Sequence, residues 1–202
     1  KNPDARASVL KACEGLDALR ERAERVLEIE RLEKTTTVRM GRKPIGDLVT
    51  MVARSWKARA GTRDVEVAVD THGLEVCVDA DLITRALDSY LENAVRFTPA
   101  RGRIRLEAKR RGDSARITVW DSGPPLHPDV RARAFDKYWT SREGPAGASR
   151  GLGLYLCRLV AERHGGSAWT DDDQGCCAFH LALPLMSAPD APAAAAAAPI
   201  RS

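Results

Sequence analysis

The chain has 202 residues, 44% of them hydrophobic and 30% charged, enough for one buried core and a smaller appendage. A net charge of +4 argues for no polyanionic partner, and at 5% aromatic content nothing stacks between Arg101, Arg103, Arg105, Arg110 and Arg111, which read as a solvated strand face and not a nucleic-acid surface. Five cysteines without a Cys-x-x-Cys pair read as reduced thiols in a cytosolic setting, and no apolar run approaches the roughly 18 residues that a membrane span needs.

Lys1 stands where a methionine would, so an upstream segment is expected. Pro3 and Asp4 start a helix whose apolar residues recur with a seven-residue period. Val9, Leu16 and Ala23 form one set, and Ala12, Leu19 and Val26 the other, three places later. That is the a/d seam of a helical hairpin or bundle, broadened by Leu27 and closed by Glu30 and Glu33. One such helix cannot bury its own stripe, so a helical partner is expected. Residues 35–37 break the pattern and 38–40 read as a short strand. Pro44 then starts a second helix with Ile45, Leu48, Val49, Val52 and Trp56 on one face and Gly61 at its end. Two alternating strands follow, Val65, Val67 and Val69, then Leu74, Val76 and Val78, joined near His72 and Gly73.

A long helix is expected over 81–96, where Leu82, Ile83, Ala86, Leu87, Tyr90, Leu91, Ala94 and Val95 form a stripe suited to packing on a sheet. Ser89, Asn93 and Arg96 share another face, at spacings of four and three, and Pro99 ends the helix. A hairpin sets Ile104, Leu106 and Ala108 against Ala115, Ile117 and Val119 across a turn at Gly112 and Asp113. Its second strand runs into Asp121, Ser122 and Gly123; a carboxylate there serves ligand recognition or simply the turn. Residues 128–135 read as a short helix and 140–150 as a polar, mobile loop. Gly151 and Gly153 open a helix carrying Leu152, Leu156, Leu159 and Val160 on one face and stopping at Gly165 and Gly166. Such a start leaves its first N–H groups bare for a phosphate, though the same glycines serve a tight turn equally well. A last hairpin, 168–170 with 176–183, precedes a low-complexity tail read as disordered or weakly helical.

Four stretches fall into one known order. Leu91-Glu92-Asn93-Ala94-Val95-Arg96-Phe97-Thr98-Pro99 resembles the N-box of the sensor histidine kinases, and Asp121-Ser122-Gly123-Pro124 resembles their first glycine box. Phe135-Asp136-Lys137-Tyr138 is similar to their F-box and Gly151-Leu152-Gly153-Leu154 to their second glycine box, with His164-Gly165-Gly166 also typical. The likeness covers about residues 36–184, and the seam helix resembles the second helix of the dimerisation and phosphotransfer hairpin. It implies the Bergerat ATP-binding fold of the GHKL superfamily, a two-layer α/β sandwich with helices on one face of a mixed sheet. Three segments are then expected: a hairpin helix over 1–34, an ATP-binding catalytic domain over 35–185 and a tail over 186–202.

The resemblance also implies roles. Asn93 would ligate the Mg²⁺ that bridges the phosphates of ATP, a task for a hard oxygen such as an amide carbonyl. Asp121 would accept a hydrogen bond from the adenine amino group, Gly123 would let the backbone approach the base, and Phe97 would lie against adenine or ribose. Arg96 would stand near the phosphates, and Gly151, Leu152 and Gly153 would offer them backbone N–H groups, with 140–150 as a lid. Ser89, Leu126, Tyr138, Arg150 and Leu154 complete the expected ATP-binding set. His164 is expected to be structural, near a helix C-terminus that favours partial positive charge.

Departures from the family pattern are Ser89 for the first N-box asparagine, Pro125 for the second glycine of the first box and Thr140 for an arginine after the F-box, with Arg142 or Arg150 as substitutes. Ser149 replaces the leading glycine of the second box, and Ala178 a threonine or serine. The implied function is transfer of the ATP γ-phosphoryl group to a histidine. His72, His127, His164 and His180 all lie beyond the seam helix, so that acceptor is expected upstream of Lys1. The implied partners are a second copy through the N-terminal helix and the receiver domain of a response regulator, with membrane contact only through upstream segments. Two other readings stay open: a superfamily ATPase or serine kinase, which would carry a glutamate where Ser89 stands, and a degenerate scaffold without turnover.

Overall fold

The computed structural model describes residues 3–34, 38–61, 64–70, 73–139, 151–173 and 175–185. A helix α1 (Pro3–Lys34) leads into β1 (Gly41–Pro44), α2 (Ile45–Arg59), β2 (Asp64–Asp70), β3 (Glu75–Val78) and α3 (Ala80–Phe97). Then come β4 (Arg103–Arg111), β5 (Ser114–Asp121), α4 (Pro128–Arg133), α5 (Gly153–Arg163), β6 (Ser167–Asp173) and β7 (Cys176–Pro184). Five strands form one sheet in the order β2-β4-β5-β7-β6; β2 runs parallel to β4 and the other pairs are antiparallel. This is the expected mixed-sheet α/β sandwich.

Alternation along the strands decides which sheet face is covered. Ile104, Leu106, Ala108, Ala115, Ile117, Val119, Phe179, Leu181 and Leu183 are buried under α2, α3 and α5. The stripe expected on α3 is the keystone: Ile83, Ala86, Leu87, Tyr90, Leu91 and Ala94 are all inaccessible to solvent. Truncating one of the large members, such as Leu87→Ala, costs about 2–5 kcal/mol. Tyr90 stacks on Phe179 at 5.4 Å, meets Phe135 edge-on at 6.5 Å, and its hydroxyl donates to the His180 carbonyl at 2.9 Å, so no buried polar atom of the ring is wasted. Phe135 of the F-box is therefore anchored in the core.

One expectation needs correction. Residues 38–40 form no strand: the Met40 N–H folds back to the Val38 carbonyl at 3.0 Å and the Arg39 N–H donates to Asp79 Oδ2, which bends the chain. Pairing starts only at Gly41, opposite Val78. The strands around His72 and Gly73 go to different sheets, because β3 pairs with β1 in a separate two-stranded sheet while β2 edges the main one. α1 also carries an apolar surface apart from the expected seam. Ile29 and Leu32 are buried against the sandwich, while Val9, Leu16, Leu19, Val26 and Leu27 of the seam region stay exposed.

His164 is structural, as expected, with both ring nitrogens in hydrogen bonds. Nδ1 lies 2.6 Å from the Val160 carbonyl and Nε2 accepts the Asp79 N–H at 2.9 Å, so one nitrogen donates and the other accepts. Asp79 in turn caps α3, Oδ1 accepting from the N–H groups of Asp81 and Leu82. All five cysteines are free; burial pushes the Cys177 thiol up to about 12 and Cys157 higher still, so neither ionises near neutral pH. Among the described residues no helix is long and apolar enough to cross a membrane. The expected lid over 140–150, Arg150 and the tail over 186–202 lie outside the described residues.

Candidate functional site

α3 runs its length beside the candidate residues. At its C-terminal end, Phe97 meets the turn after β5. Asp121 is buried, and its Oδ1 accepts the Gly123 N–H at 2.8 Å. A Cβ on Gly123 would stand 2.5 Å from that oxygen and 2.8 Å from the Phe97 carbonyl, so only glycine lets this turn lie against the helix. Burial pushes the Asp121 carboxyl up to about 6, with the Gly123 N–H opposing the rise. The Phe97 ring is exposed, and Leu126, three residues beyond the glycine, is half-buried with its carbonyl accepting from Arg131 at 3.4 Å.

Two turns nearer the start of α3, Ser89 is buried against α5: its Oγ is 3.5 Å from the point a Cβ on Gly153 would occupy. Gly153 is the first residue of α5; Leu152 caps it without any side-chain hydrogen bond, so no side chain covers the helix's leading donors from that position. Leu152 and Gly153 are buried, while Gly151 and Leu154 are half-buried. Gly151 has φ +65°, and any Cβ there would collide with the backbone of Trp139. The Tyr138 N–H donates to the Gly151 carbonyl at 3.2 Å, which holds the chain on either side of 140–150 together. Tyr138 itself adopts φ +63° with its ring exposed, a backbone strain of about 1–3 kcal/mol that this pinning sustains.

α3 thus acts as a ruler. Ser89 touches the glycine-led helix, Phe97 touches the Asp121 turn, and eight residues of helix separate them by about 12 Å. Asn93 lies midway and half-buried, with Arg96 close by and held 3.7 Å from Glu92. The structure brings Ser89 to Gly153, Tyr138 to Gly151, and Phe97 to Gly123 beside the buried Asp121, with Asn93 and Arg96 between them along α3. A cavity of about 440 Å³ lies elsewhere, at the opposite end of α3, between α1 residues such as Leu27 and Leu32 and α3 residues such as Asp81 and Leu82. The family of histidine kinase-, DNA gyrase B-, and HSP90-like ATPases matches residues 78–187, more than half the chain. The chain belongs to this ATPase family.

Sensor protein KdpD of Escherichia coli (strain K12) is 36% identical over 115 residues, 56% of this chain and 13% of that protein. Full-length ShkA, solved in complex with AMPPNP, superposes with a TM-score of 0.80 at 26% identity, over 93% of this chain and 40% of ShkA. Histidine kinase ThkA, solved in complex with the response regulator protein TrrA, shares the fold with a TM-score of 0.73 at 23% identity, over 92% of this chain and 53% of ThkA. The chain spans less than two thirds of each. The matched part of the chain, similar to these kinases, is preceded by the long helix α1.

Sequence reasoning missed four residues that organise this domain: Arg25, Glu33, Asp79 and Glu92. Asp79 was legible as an N-cap residue type just before a periodic apolar run. Arg25 and Glu33 sit on a charged helix face where every third or fourth residue looks alike, and only their partners on α3 and in the F-box set them apart.

Proposed function

We propose that this domain binds Mg²⁺-ATP along the α3 strip and transfers the γ-phosphoryl group to a histidine on a helix upstream of Lys1. The observation that carries the reading is the buried Asp121 carboxylate, with one oxygen spent on Gly123 and a glycine kept bare beside it. Among the described residues no cation pairs with it, and such a buried carboxylate is costly to maintain. It is worth that cost when it selects the adenine amino group, which Asp121 would take on Oδ2 while the bare Gly123 admits the base edge. Phe97, Leu126 and Tyr138 would flank the base or ribose. Toward the other end, Arg96 and Ser89 would face the phosphates, and the backbone N–H groups of Gly151, Leu152, Gly153 and Leu154 would bind them, with Arg150 assigned there from sequence.

The donor set fits a magnesium ion: Asn93 offers a neutral, hard amide oxygen between the two ends of the strip. Bound there, the ion would neutralise charge on the phosphates. The protein's own task is to hold the nucleotide in line and balance its charge, the terms that dominate phosphoryl transfer. His164 and His180 are buried with both ring nitrogens engaged, and α1 contains no histidine, which supports an acceptor upstream. A second copy would pack on the exposed α1 seam and a response-regulator receiver would take the phosphoryl group, as the pairing of ThkA with TrrA leads one to propose. A cytoplasmic location follows from that partnership.

The test is thermal unfolding with and without Mg²⁺-ATP, run on the parent and on Asn93→Ala. Ligand at a hundred times its dissociation constant adds about 2.7 kcal/mol. The parent is expected to shift and the variant, half-buried at a helix surface and so still folded, to lose most of that shift. No shift in either would favour a scaffold without turnover.

A further inference from the structure

Arg25 belongs to α1, yet its guanidinium reaches between α3 and α5. Its Nη2 lies 3.0 Å from Glu92 Oε2, and its Nη1 stands 3.7 Å from the point a Cβ on Gly153 would occupy, beside Ser89 Oγ. The other oxygen of Glu92, Oε1, lies 3.7 Å from Nη2 of Arg96. Two arginines from separate helices therefore share one carboxylate, next in sequence to Asn93 and at the first residue of the glycine-led helix.

Glu92 thus holds two guanidiniums beside the positive end of a helix dipole, in side chains only 20–24% exposed for the arginines. An ion pair kept merely to fasten α1 would need one arginine, and half-exposed pairs add little stability in any case. Two guanidiniums that converge beside the start of α5 can take an anion with several oxygens, which they bind in forked geometry. A cavity of about 220 Å³ borders Arg25, Ser89 and Glu92 and leaves the Arg25 head room to turn; its other charged walls, Glu24, Glu28 and Asp88 with Arg59 and Arg85, balance to within one charge.

We propose that Arg25 is a phosphate-binding residue of the nucleotide site, contributed by α1, and that Glu92 occupies Arg25 and Arg96 when no nucleotide is bound. The inference rests on the nucleotide reading above. It makes the triphosphate itself a link between α1 and the sandwich.

Equilibrium binding of Mg²⁺-ATP and of adenosine to the parent, Arg25→Ala, Arg25→Lys and Glu92→Gln tests it. Arg25→Ala is expected to weaken Mg²⁺-ATP about tenfold, the scale of one charge-assisted hydrogen bond, and to leave adenosine unchanged. Arg25→Lys retains part of the affinity. Glu92→Gln releases both arginines and tightens Mg²⁺-ATP, again without moving adenosine. A merely structural pair behaves otherwise: Arg25→Ala and Glu92→Gln then act in the same direction, or neither acts, and the proposal falls while the nucleotide reading stands. A parent that binds no Mg²⁺-ATP removes both.

Discussion

Both carboxylate oxygens of Glu33, in the last turn of α1, face a single ammonium: Lys137 Nζ lies 2.8 Å from Oε1 and 2.9 Å from Oε2. The Tyr155 hydroxyl donates to Oε1 at 2.6 Å, and the Arg163 guanidinium donates to the main-chain carbonyls of Leu32 and Glu33. Lys137 is part of the F-box and precedes Tyr138, whose N–H holds Gly151. The end of α1 is thus one contact away from the stem of 140–150 and from α5 together.

Glu33→Gln keeps the shape and removes the charge. It is expected to speed backbone hydrogen exchange in the last two turns of α1 while leaving β5 and β7 unchanged. The pH dependence has a definite sign: hydrogen bonds from Lys137 and Tyr155 hold the Glu33 carboxyl below its ordinary 4.5, so its contribution to docking is full above that value and is lost as pH falls below it. Protection of α1 amides, corrected for the intrinsic pH dependence of exchange, should therefore fall in acid in the parent and stay flat in the variant. Equal acid sensitivity in both would remove Glu33 as the fastening group.

Asp121 carries the opposite sign. Its carboxyl is raised from 3.8 to about 6 by burial, so keeping it ionised costs the folded state about 3 kcal/mol at neutral pH. That cost is absent below the unfolded value and grows as pH rises toward 6. Asp121→Asn still offers Gly123 an acceptor, so the free domain should unfold at the same or a higher temperature at pH 7.5. The same variant presents an NH₂ group to the adenine amino group and should bind Mg²⁺-ATP at least tenfold more weakly. In the parent, affinity should drop as pH falls through about 6, where the carboxylate takes a proton. A variant that is less stable and still binds would contradict both halves.

The strip on α3 was legible because its signals are local. Ser89, Asn93 and Arg96 share a face by helical spacing alone, and Asp121 and Gly123 stand where a strand must turn. The sandwich was legible for the same reason, since the stripe on α3 and the alternation on β4 and β5 fix their own burial. What the sequence left hidden depends on distant partners. Val38 carries strand propensity, yet Asp79 takes the Arg39 N–H, 40 residues away, and bends the segment. Arg25 and Glu33 are ordinary helix-surface charges until α3 and the F-box lie against them. Arg150 and the expected lid fall outside the described residues.

Two glycines of the second box should respond oppositely to the same change. Gly151→Ala forces a side chain into a left-handed backbone already against Trp139, and should destabilise the domain by about 1–3 kcal/mol. Gly153→Ala adds a Cβ at ordinary contact distance, 3.5 Å from Ser89 Oγ, on the first residue of a helix, where alanine has the better propensity. Its stability should be unchanged or slightly higher. Urea denaturation of both separates them, and equal losses would mean that the turn at Gly151 is not what fixes the start of α5.

The α1 seam makes the last prediction. Val9, Leu16 and Leu19 are 62%, 69% and 65% exposed, while Ile29 and Leu32 further along the same helix are buried on the sandwich. One helix thus has two apolar surfaces, and among the described residues only the second is covered. Each leucine covered by a second copy would add about 1.5–3 kcal/mol, so a few symmetric pairs suffice for a dimer at micromolar concentration. Sedimentation of the parent should show a dimer, and Leu16→Glu with Leu19→Glu a monomer. Because neither side chain touches the core, the double variant should keep the parent's Mg²⁺-ATP affinity. A parent that sediments as a monomer at high micromolar concentration would leave the seam without its proposed occupant.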